Sequence, residues 1–400
     1  MESCCHSNSA YLTYAEALKV LAKHCSAIQP NAETVALPQT ANRVLASDIF
    51  LDRDEPPVAR SAMDGYAVLA TDKTKPREVI SVNYAGDIGQ LDLQIGQAVK
   101  VMTGASVPLN ADAVVMVEHC RVDGSTLTID KLPSKSNIRQ IGEIAAQGDL
   151  AVARGQRIAA GEIATIASCG VSEVSVFTRP RVAILSTGDE IVSHEGELLP
   201  HQTRDSNRLM LAQQVSDFGA TVVSSEHVAD NLPALSKALD EALRNSDIVI
   251  TIGGVSMGDK DYLPQVFSES KVEKLFHKVA MRPGKPIWVG QRQQAMVVGL
   301  PGNPVSSFVG AILFARPIVD AFLGDFARRA IPQLAVSGAQ FRSKARHDFV
   351  VARFSENSKV VATQSSGSAD WRSLSRVQTL ALVPPNSIIN SGDILEVIPV

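Results

Sequence analysis

From Arg179 to about residue 328 the chain alternates uniformly apolar runs with helix-patterned segments. The order is "RVAILST", Asn207 to Phe218, "ATVVSSEHV", Pro233 to Leu243, "DIVITIGG", then "AMVVGLPG" followed by a long helix from Pro304. Strands with no polar face must be covered on both sides, so this rhythm predicts a parallel sheet between two helical layers, a doubly wound α/β domain. Ligands of such sheets bind beyond the carboxyl ends of the strands. It is at those positions that Gly, Ser, Thr and Asp concentrate.

The flanking regions obey other rules. Ala17, Leu18, Leu21, Ala22 and Cys25 recur at helical spacing within Tyr14 to Ile28, and "AAGEIATIASCG" reads as a short helix ending at Gly170. Between Leu51 and Asp130 short β-rich runs such as "QAVKVMTG" and "DAVVMVEHCRV" predict a small β domain. After Ile331 the runs "QLAVSG", "DFVVARF", "KVVATQS", "TLALVPP" and "DILEVIPV" predict a β sandwich or barrel. A length of 400 residues fits three or four such units.

Composition excludes several classes. The net charge is −4 and no Lys/Arg block is interleaved with aromatics, so no nucleic acid is expected as a partner. The most apolar span, Val305 to Ala315, is short of the roughly 18 residues that suggest a membrane helix and reads as a buried helix. No membrane partner is expected, and the start lacks a signal-peptide pattern, so the cytoplasm is the expected location. Five cysteines without CxxC spacing fit a reducing compartment; Cys4, Cys5 and His6 read as a solvated tail.

"ITIGGVSMGDKDY" contains Gly254-Val255-Ser256-Met257-Gly258, the pattern of a serine hydrolase elbow. His347 follows Asp320 in the required order, but it lies in the β-rich tail, no HGGG-like loop occurs, and Asp259-Lys260-Asp261 stand where the elbow's helix should enter the core. A different chemistry suits the stretch better. A buried strand runs into Gly253 and Gly254, which let the backbone turn and offer N–H groups to an anion. Asp259 and Asp261 then supply the oxygen ligands that Mg²⁺ shares with phosphate. A polar turn with solvated acids is the alternative.

The arrangement recurs at other strand ends. "STGDE" offers Ser186, Thr187 and Gly188 for hydrogen bonds, then Asp189 and Glu190; "HVADN" ends at Asp230; "GLPGNPVSS" presents Pro301, Gly302 and Asn303 before Pro304. Asn303 reads as an N-cap, and a helix N-terminus is also an anion site. Lys278, Arg282 and Lys285 surround the Pro-Gly turn of "KVAMRPGKP", where cations suit a polyanionic substrate or are merely solvated. In the β region Asp64-Gly65 reads as a tight turn, with Thr103-Gly104 in a similar setting.

Taken together, "SAMDGYAV", "MTGASVP", "STGDEIV", "GGVSMGDKDY", "RPGKP" and "GLPGNPVS", in this order, resemble the molybdopterin molybdenumtransferase family, the MoeA or gephyrin E-domain type. The resemblance implies a multidomain α/β plus β fold: an α/β domain like molybdopterin adenylyltransferase, a β-rich inserted domain and a C-terminal β barrel. The expected boundaries are 1–50 with 145–178 for a discontinuous dimerisation domain, 51–144, 179–328 and 329–400. It implies a homodimer, with molybdopterin adenylyltransferase and apo-molybdoenzymes as partners, that inserts molybdate into adenylylated molybdopterin with Mg²⁺-dependent release of AMP.

The same resemblance assigns roles. Glu190 and Asp261 fall where the family keeps metal or nucleotide contacts, with Asp230 supporting the crevice. Lys278 and Lys285 match basic positions for phosphate and molybdate, and Arg282 stands where relatives commonly have lysine. Gly253, Gly254, Ser256 and Gly258 would contact the substrate. Asp64 and Thr103 would face the pocket across the dimer interface, and Arg353 and Ser368 would come from the C-terminal domain. One departure is Ile144 in "RQIGEIAAQGD", where relatives often carry an acid. The rival activities are molybdopterin adenylyl transfer and a non-catalytic molybdopterin-binding scaffold.

Overall fold

The computed structural model describes residues 11–73, 75–87, 91–255, 261–325 and 332–400. The chain divides into two compact units, one of residues 1–47, 155–159 and 173–400 and the other of residues 48–154 and 160–172.

In the first unit a six-stranded sheet runs in the order Thr221–Val228, Arg181–Thr187, Ile248–Ile252, Ala295–Leu300, Trp288–Arg292, Glu273–His277. The first four are parallel, whereas Trp288–Arg292 is antiparallel to both neighbours. The sheet is therefore mixed rather than wholly parallel. Only Gln293 and Gln294 separate Trp288–Arg292 from Ala295–Leu300, and so short a turn permits only antiparallel pairing. Gln293 takes a left-handed φ of 56° there, and "GQRQQA" carries no Asn-Gly signal of such a hairpin.

Every residue of Ile248–Ile252 is buried, as an apolar strand between two layers must be. Burying each such side chain contributes about 1.5–3 kcal/mol. One layer is formed by Leu232–Asn245 and Leu263–Glu269, which pack on Val249 and Leu185. The other contains Ser206–Phe218 and the run Pro304–Phe322, whose Val309, Ile312 and Phe314 join Ile184 and Ile250. That last helix is long and apolar enough to cross a membrane by length and composition, and exceeds the expected Val305 to Ala315, but 89% of its apolar window is buried in the core. The N-terminal helix Tyr14–Cys25 adds Ala17 and Leu21 to that core and begins with a capping box between Thr13 and Glu16.

All five C-terminal runs form strands. Met281–Arg282, His347–Phe354, Thr379–Val383, Ile394–Pro399 and Gln333–Val336 lie side by side, and Val360–Ala362 pairs with 347–354. A single bridge joins Ser337 to Val360.

The second unit holds a six-stranded sheet in the order Ala113–Met116, Gly65–Val68, Gln97–Val101, Arg77–Asn83, Thr126–Ile129, Cys120–Asp123. Its alternation is regular: Ala67, Val99 and Val114 bury into one face, Tyr66, Ala98 and Val115 into the other. The helix Ala160–Ser168 ends before Gly170, whose φ is 73°. Asp64-Gly65 is not the expected tight turn. Gly65 opens a strand with an ordinary φ, and a Cβ there would run into the Val115 carbonyl, so glycine serves close approach rather than turning.

Candidate functional site

In the α/β sheet the chain passes from the 181–187 strand to its neighbour at 221–228, then back across to 248–252 on the other side. Ligands of open α/β sheets bind at such a reversal, here beyond the carboxyl ends of 181–187 and 248–252. Gly253 and Gly254, with φ of 86° and 62°, turn the chain there. A Cβ on Gly253 would stand 2.9 Å from the Thr187 carbonyl oxygen, and one on Gly302 would be 3.8 Å from the Gly253 Cα. Three strand-end loops thus meet with no room for side chains between the first two. The Thr187 hydroxyl donates to Asp230 Oδ1 at 3.0 Å and brings in the fourth. Asn207 Nδ2 donates to the Gly302 carbonyl at 2.6 Å, fixing the last loop to the helix behind it.

Ser186 and Thr187 do not offer their hydroxyls to a ligand as expected. Ser186 is buried and donates to Asp205 Oδ2 at 2.6 Å, with His227 Nδ1 3.2 Å away, while the Thr187 hydroxyl is committed to Asp230. The reason is position: the 181–187 strand is buried on both faces through Thr187, so each hydroxyl needs an internal partner. Asp205, absent from the expected site, is the centre of this network. It caps Ser206–Phe218 by accepting from the Arg208 amide at 3.1 Å, and also accepts from Arg208 Nε at 2.9 Å. An Asp just before an amphipathic run was the available signal.

Gly188 has a φ of 135°, and a Cβ built there would lie 2.9 Å from Glu190 Oε2, so the exposed Glu190 carboxylate folds back over the turn. Asp261 stands two residues before the helix Leu263–Glu269, whose Leu263 side chain would be 3.3 Å from a Cβ on Gly254. Ser256, Gly258 and Asp259 lie outside the described residues. Among the described residues no group of three His, Cys, Asp or Glu side chains gathers as a metal cluster. A Mg²⁺ shared with a phosphorylated ligand needs only one or two carboxylates, and the all-oxygen donors Glu190 and Asp261 suit that ion.

The cations come from two directions. Lys278 and Lys285 are neighbours, because the Lys278 amide donates to Ile287 O at 2.8 Å and the Val279 amide to Lys285 O at 2.9 Å. Their ammonium groups stand 5.8 Å and 4.4 Å from the Tyr11 ring centroid, within cation–π range. A Cβ on Gly284 would be 3.6 Å from Ser306 O, so the lysine turn abuts the start of the 304–310 helix. Arg282 departs from this pair. Its short strand joins the C-terminal sheet beside His347 and Asp348, and its exposed guanidinium is 3.9 Å from Asp348. Burial pushes the Asp348 carboxyl up and the nearby Arg282 charge pulls it back. His277 was not expected. Its Nε2 lies 3.0 Å from Val255 O, tying the glycine loop to the edge strand, and burial holds its pKa below the ordinary value.

Asn303 occupies the N-cap position, but its side chain makes no capping bond; Nδ2 donates to Ser368 Oγ at 3.2 Å. The Val305 amide donates to Ser368 O at 3.0 Å, so one amide expected to face an anion is already occupied. The Ser368 loop continues into a cavity of about 640 Å³ lined by Arg353, Ser365, Ser366, Arg372 and Arg376. Asp370 beside it is held down at about 2 by the Ser366 amide and the Arg372 guanidinium. Arg372 and Arg376 lie in "WRSLSR", which carried no pattern that marks a site.

Asp64 and Thr103 belong to the other unit. There the Thr103 amide and hydroxyl both donate to Asp64 Oδ1, at 2.7 and 2.8 Å, and hold its carboxyl below the usual range.

Comparison with known proteins places this geometry. Residues 12–170 match the MoeA N-terminal region (domain I and II), and residues 183–321 a probable molybdopterin binding domain. A molybdopterin molybdenumtransferase of Bacillus subtilis is 36% identical over 307 residues, covering 74% of this chain and 71% of the relative. One from Staphylococcus aureus is 38% identical over 311 residues, 76% and 74% respectively. Among solved structures, a molybdopterin biosynthesis MoeA protein from Pyrococcus horikoshii OT3 superposes with a TM-score of 0.85 at 25% identity, over 98% of this chain and 100% of that one.

Proposed function

The chain belongs to the molybdopterin molybdenumtransferase family, and from that premise we propose that it transfers molybdenum from molybdate to adenylylated molybdopterin with release of AMP, in molybdenum cofactor biosynthesis. The observation that carries the reading is the meeting of the Thr187, Asp230, Gly253 and Gly302 loops beyond the sheet's carboxyl edge. Such a crevice presents backbone N–H groups where a phosphoanhydride needs charge stabilisation.

Within it the chain's own groups divide the work. Lys278 and Lys285 bind the phosphates as mobile point charges and are oriented by the Tyr11 ring. The glycine turns at 253 and 254 let the backbone approach the anion closely. Asp230, held by Thr187, and His277, holding Val255, keep the loops in place. Glu190 and Asp261 would hold Mg²⁺, which when bound offsets the charge that develops as AMP departs. Arg353 and Ser368 supply polar contacts from the C-terminal side, where the bridge between Ser337 and Val360 supports a closed barrel. The same reading includes the four-domain division, a cytoplasmic homodimer in which Asp64 and Thr103 of one subunit complete the site of the other, and transfer of product to apo-molybdoenzymes.

The test mixes the purified chain with adenylylated molybdopterin and Mg²⁺, with and without molybdate, and follows AMP release together with activation of a molybdenum-free apoenzyme. Molybdate-dependent release with activation is expected, and Asp261→Asn should lower both. Binding without either would leave a scaffold, a reading favoured by the exposed Ile144 where relatives often carry an acid. Conversion of ATP and molybdopterin would instead show an adenylyltransferase.

A further inference from the structure

The opposite edge of the same sheet holds a concentration of guanidinium groups that the reaction does not use. Arg181 opens the 181–187 strand, Arg292 ends the oppositely directed 288–292 strand further along the sheet, Arg244 lies in the last turn of Leu232–Asn245, and Arg179 precedes Pro180. All four line a cavity of about 370 Å³, with Asn31 and Gln293 contributing amides. Volumes of about 300–1,000 Å³ are typical of small-molecule sites.

The carboxylates near this cavity are already engaged. Asp247 accepts from the Arg181 amide at 2.7 Å and from its guanidinium at 3.2 Å, and Asp240 accepts from Arg292 at 2.9 Å. Behind the cavity Glu33 pairs with Arg43 at 2.5 Å and Asp325 with Arg157 at 2.8 Å. Arg179 and Arg244 are left over: among the described residues neither makes an ion pair or side-chain hydrogen bond. The guanidinium of Arg179 is disfavoured by partial burial and by the like charges of Arg43 and Arg157, which Glu33 only partly offsets. Two uncompensated guanidiniums on a concave, amide-bearing surface are electrostatically suited to a phosphate, which accepts bidentate hydrogen bonds from arginine.

We propose that this amino-edge cavity is a second anion site, which takes a small phosphorylated molecule between Arg179 and Arg244, with Arg181, Arg292 and the Asn31 and Gln293 amides at its walls. The site lies across the sheet from the glycine crevice, so it is occupied independently of the transferase substrate. It does not rest on the assignment of that reaction.

Inorganic pyrophosphate is the probe. Calorimetric titration of the full chain at physiological salt should show one pyrophosphate bound per chain in the cavity. Each guanidinium supplies charge-assisted hydrogen bonds to the phosphate, so Arg179→Gln or Arg244→Gln should each weaken binding about tenfold or more. Lys278→Gln should leave this binding event unchanged, and the two arginine variants should keep wild-type melting temperatures and wild-type AMP release. Absence of binding, or binding abolished by Lys278→Gln and intact in both arginine variants, would overturn the proposal and return the anion to the carboxyl edge. Charge reversal by Arg244→Glu, at an exposed position, repeats the test with a larger expected loss.

Discussion

The two edges of the α/β sheet are built from the same strands yet by opposite means. At the carboxyl edge the loops approach so closely that glycine is required, and polar side chains are tied to one another: Thr187 to Asp230, Asn207 to Gly302, His277 to Val255. At the amino edge the ties are ionic: Arg181, which opens its strand, pairs with Asp247 and Arg292 with Asp240, and among the described residues Arg179 and Arg244 remain over. The carboxyl edge therefore depends on geometry, where a single atom matters. The amino edge depends on charge, where only ionic groups do.

The largest effect should therefore come from adding one carbon at the carboxyl edge. Gly253→Ala forces a Cβ to 2.9 Å from the Thr187 carbonyl and a side chain onto a φ of 86°. Such strain costs on the order of 1–3 kcal/mol, and because it is relieved by moving the loop, AMP release should fall by more than the stability loss suggests. Gly302→Ala is the control: its nearest neighbour would be the Gly253 Cα at 3.8 Å and its φ is not left-handed, so stability should change little. Equal losses in both variants, measured by chemical denaturation and turnover, would break the contrast between the edges.

How much of this was legible in the sequence follows from the same physics. Apolar runs announced the central strands, and glycines, acids and asparagine announced their ends, because those residue types have few other uses there. The direction of a hydroxyl was not legible. In "RVAILST" every position from Val182 to Thr187 is buried, so there was no polar alternation to show which way Ser186 points, and it proved to serve Asp205. Nor was the antiparallel hairpin at Gln293, whose turn lacks glycine, nor the contact of Lys285 with Tyr11, a pairing across most of the chain. Arg282 illustrates a different limit. It was grouped with Lys278 and Lys285 by nearness in sequence, but a β-strand joins it to another sheet.

An intermediate effect should follow from removing one hydrogen bond without changing shape. Thr187→Val deletes the donor to Asp230 Oδ1 and keeps the branched side chain. A part-buried hydrogen bond to a carboxylate contributes about 1.5–3 kcal/mol, reduced here because Asp230 retains access to solvent. The expected result is a stability loss near the lower limit, with turnover lowered and pyrophosphate binding at the amino edge untouched. A change in that binding would show that the two edges communicate.

The smallest effect, and the one that separates geometry from charge within the carboxyl edge itself, concerns His277. Its pKa is lowered by burial first, and then by Lys278 and Lys274, while the bond to Val255 O acts in the other direction. A base whose folded-state pKa lies below its ordinary value resists protonation when folded. Its contribution to stability is therefore complete above the ordinary imidazole range and is lost as pH falls through the lowered folded-state value. Acidification should lower stability through the cost of burying the imidazolium, although its Nε2–H still donates to Val255 O, whereas the arginines of the amino edge do not titrate there. His277↔Trp288 are register partners, and Trp288 is buried, so tryptophan fluorescence during denaturation, with the exposed Trp371 replaced by phenylalanine, reports on this strand pair. His277→Gln keeps a neutral donor for Val255 O and should flatten the acid limb while preserving stability at neutral pH. His277→Ala should lower stability at neutral pH, where the wild-type bond is intact, and also lack the acid limb. An acid limb that survives unchanged in His277→Gln would assign the titration to another group, and unchanged stability of His277→Ala at neutral pH would remove His277 as the anchor of the loop.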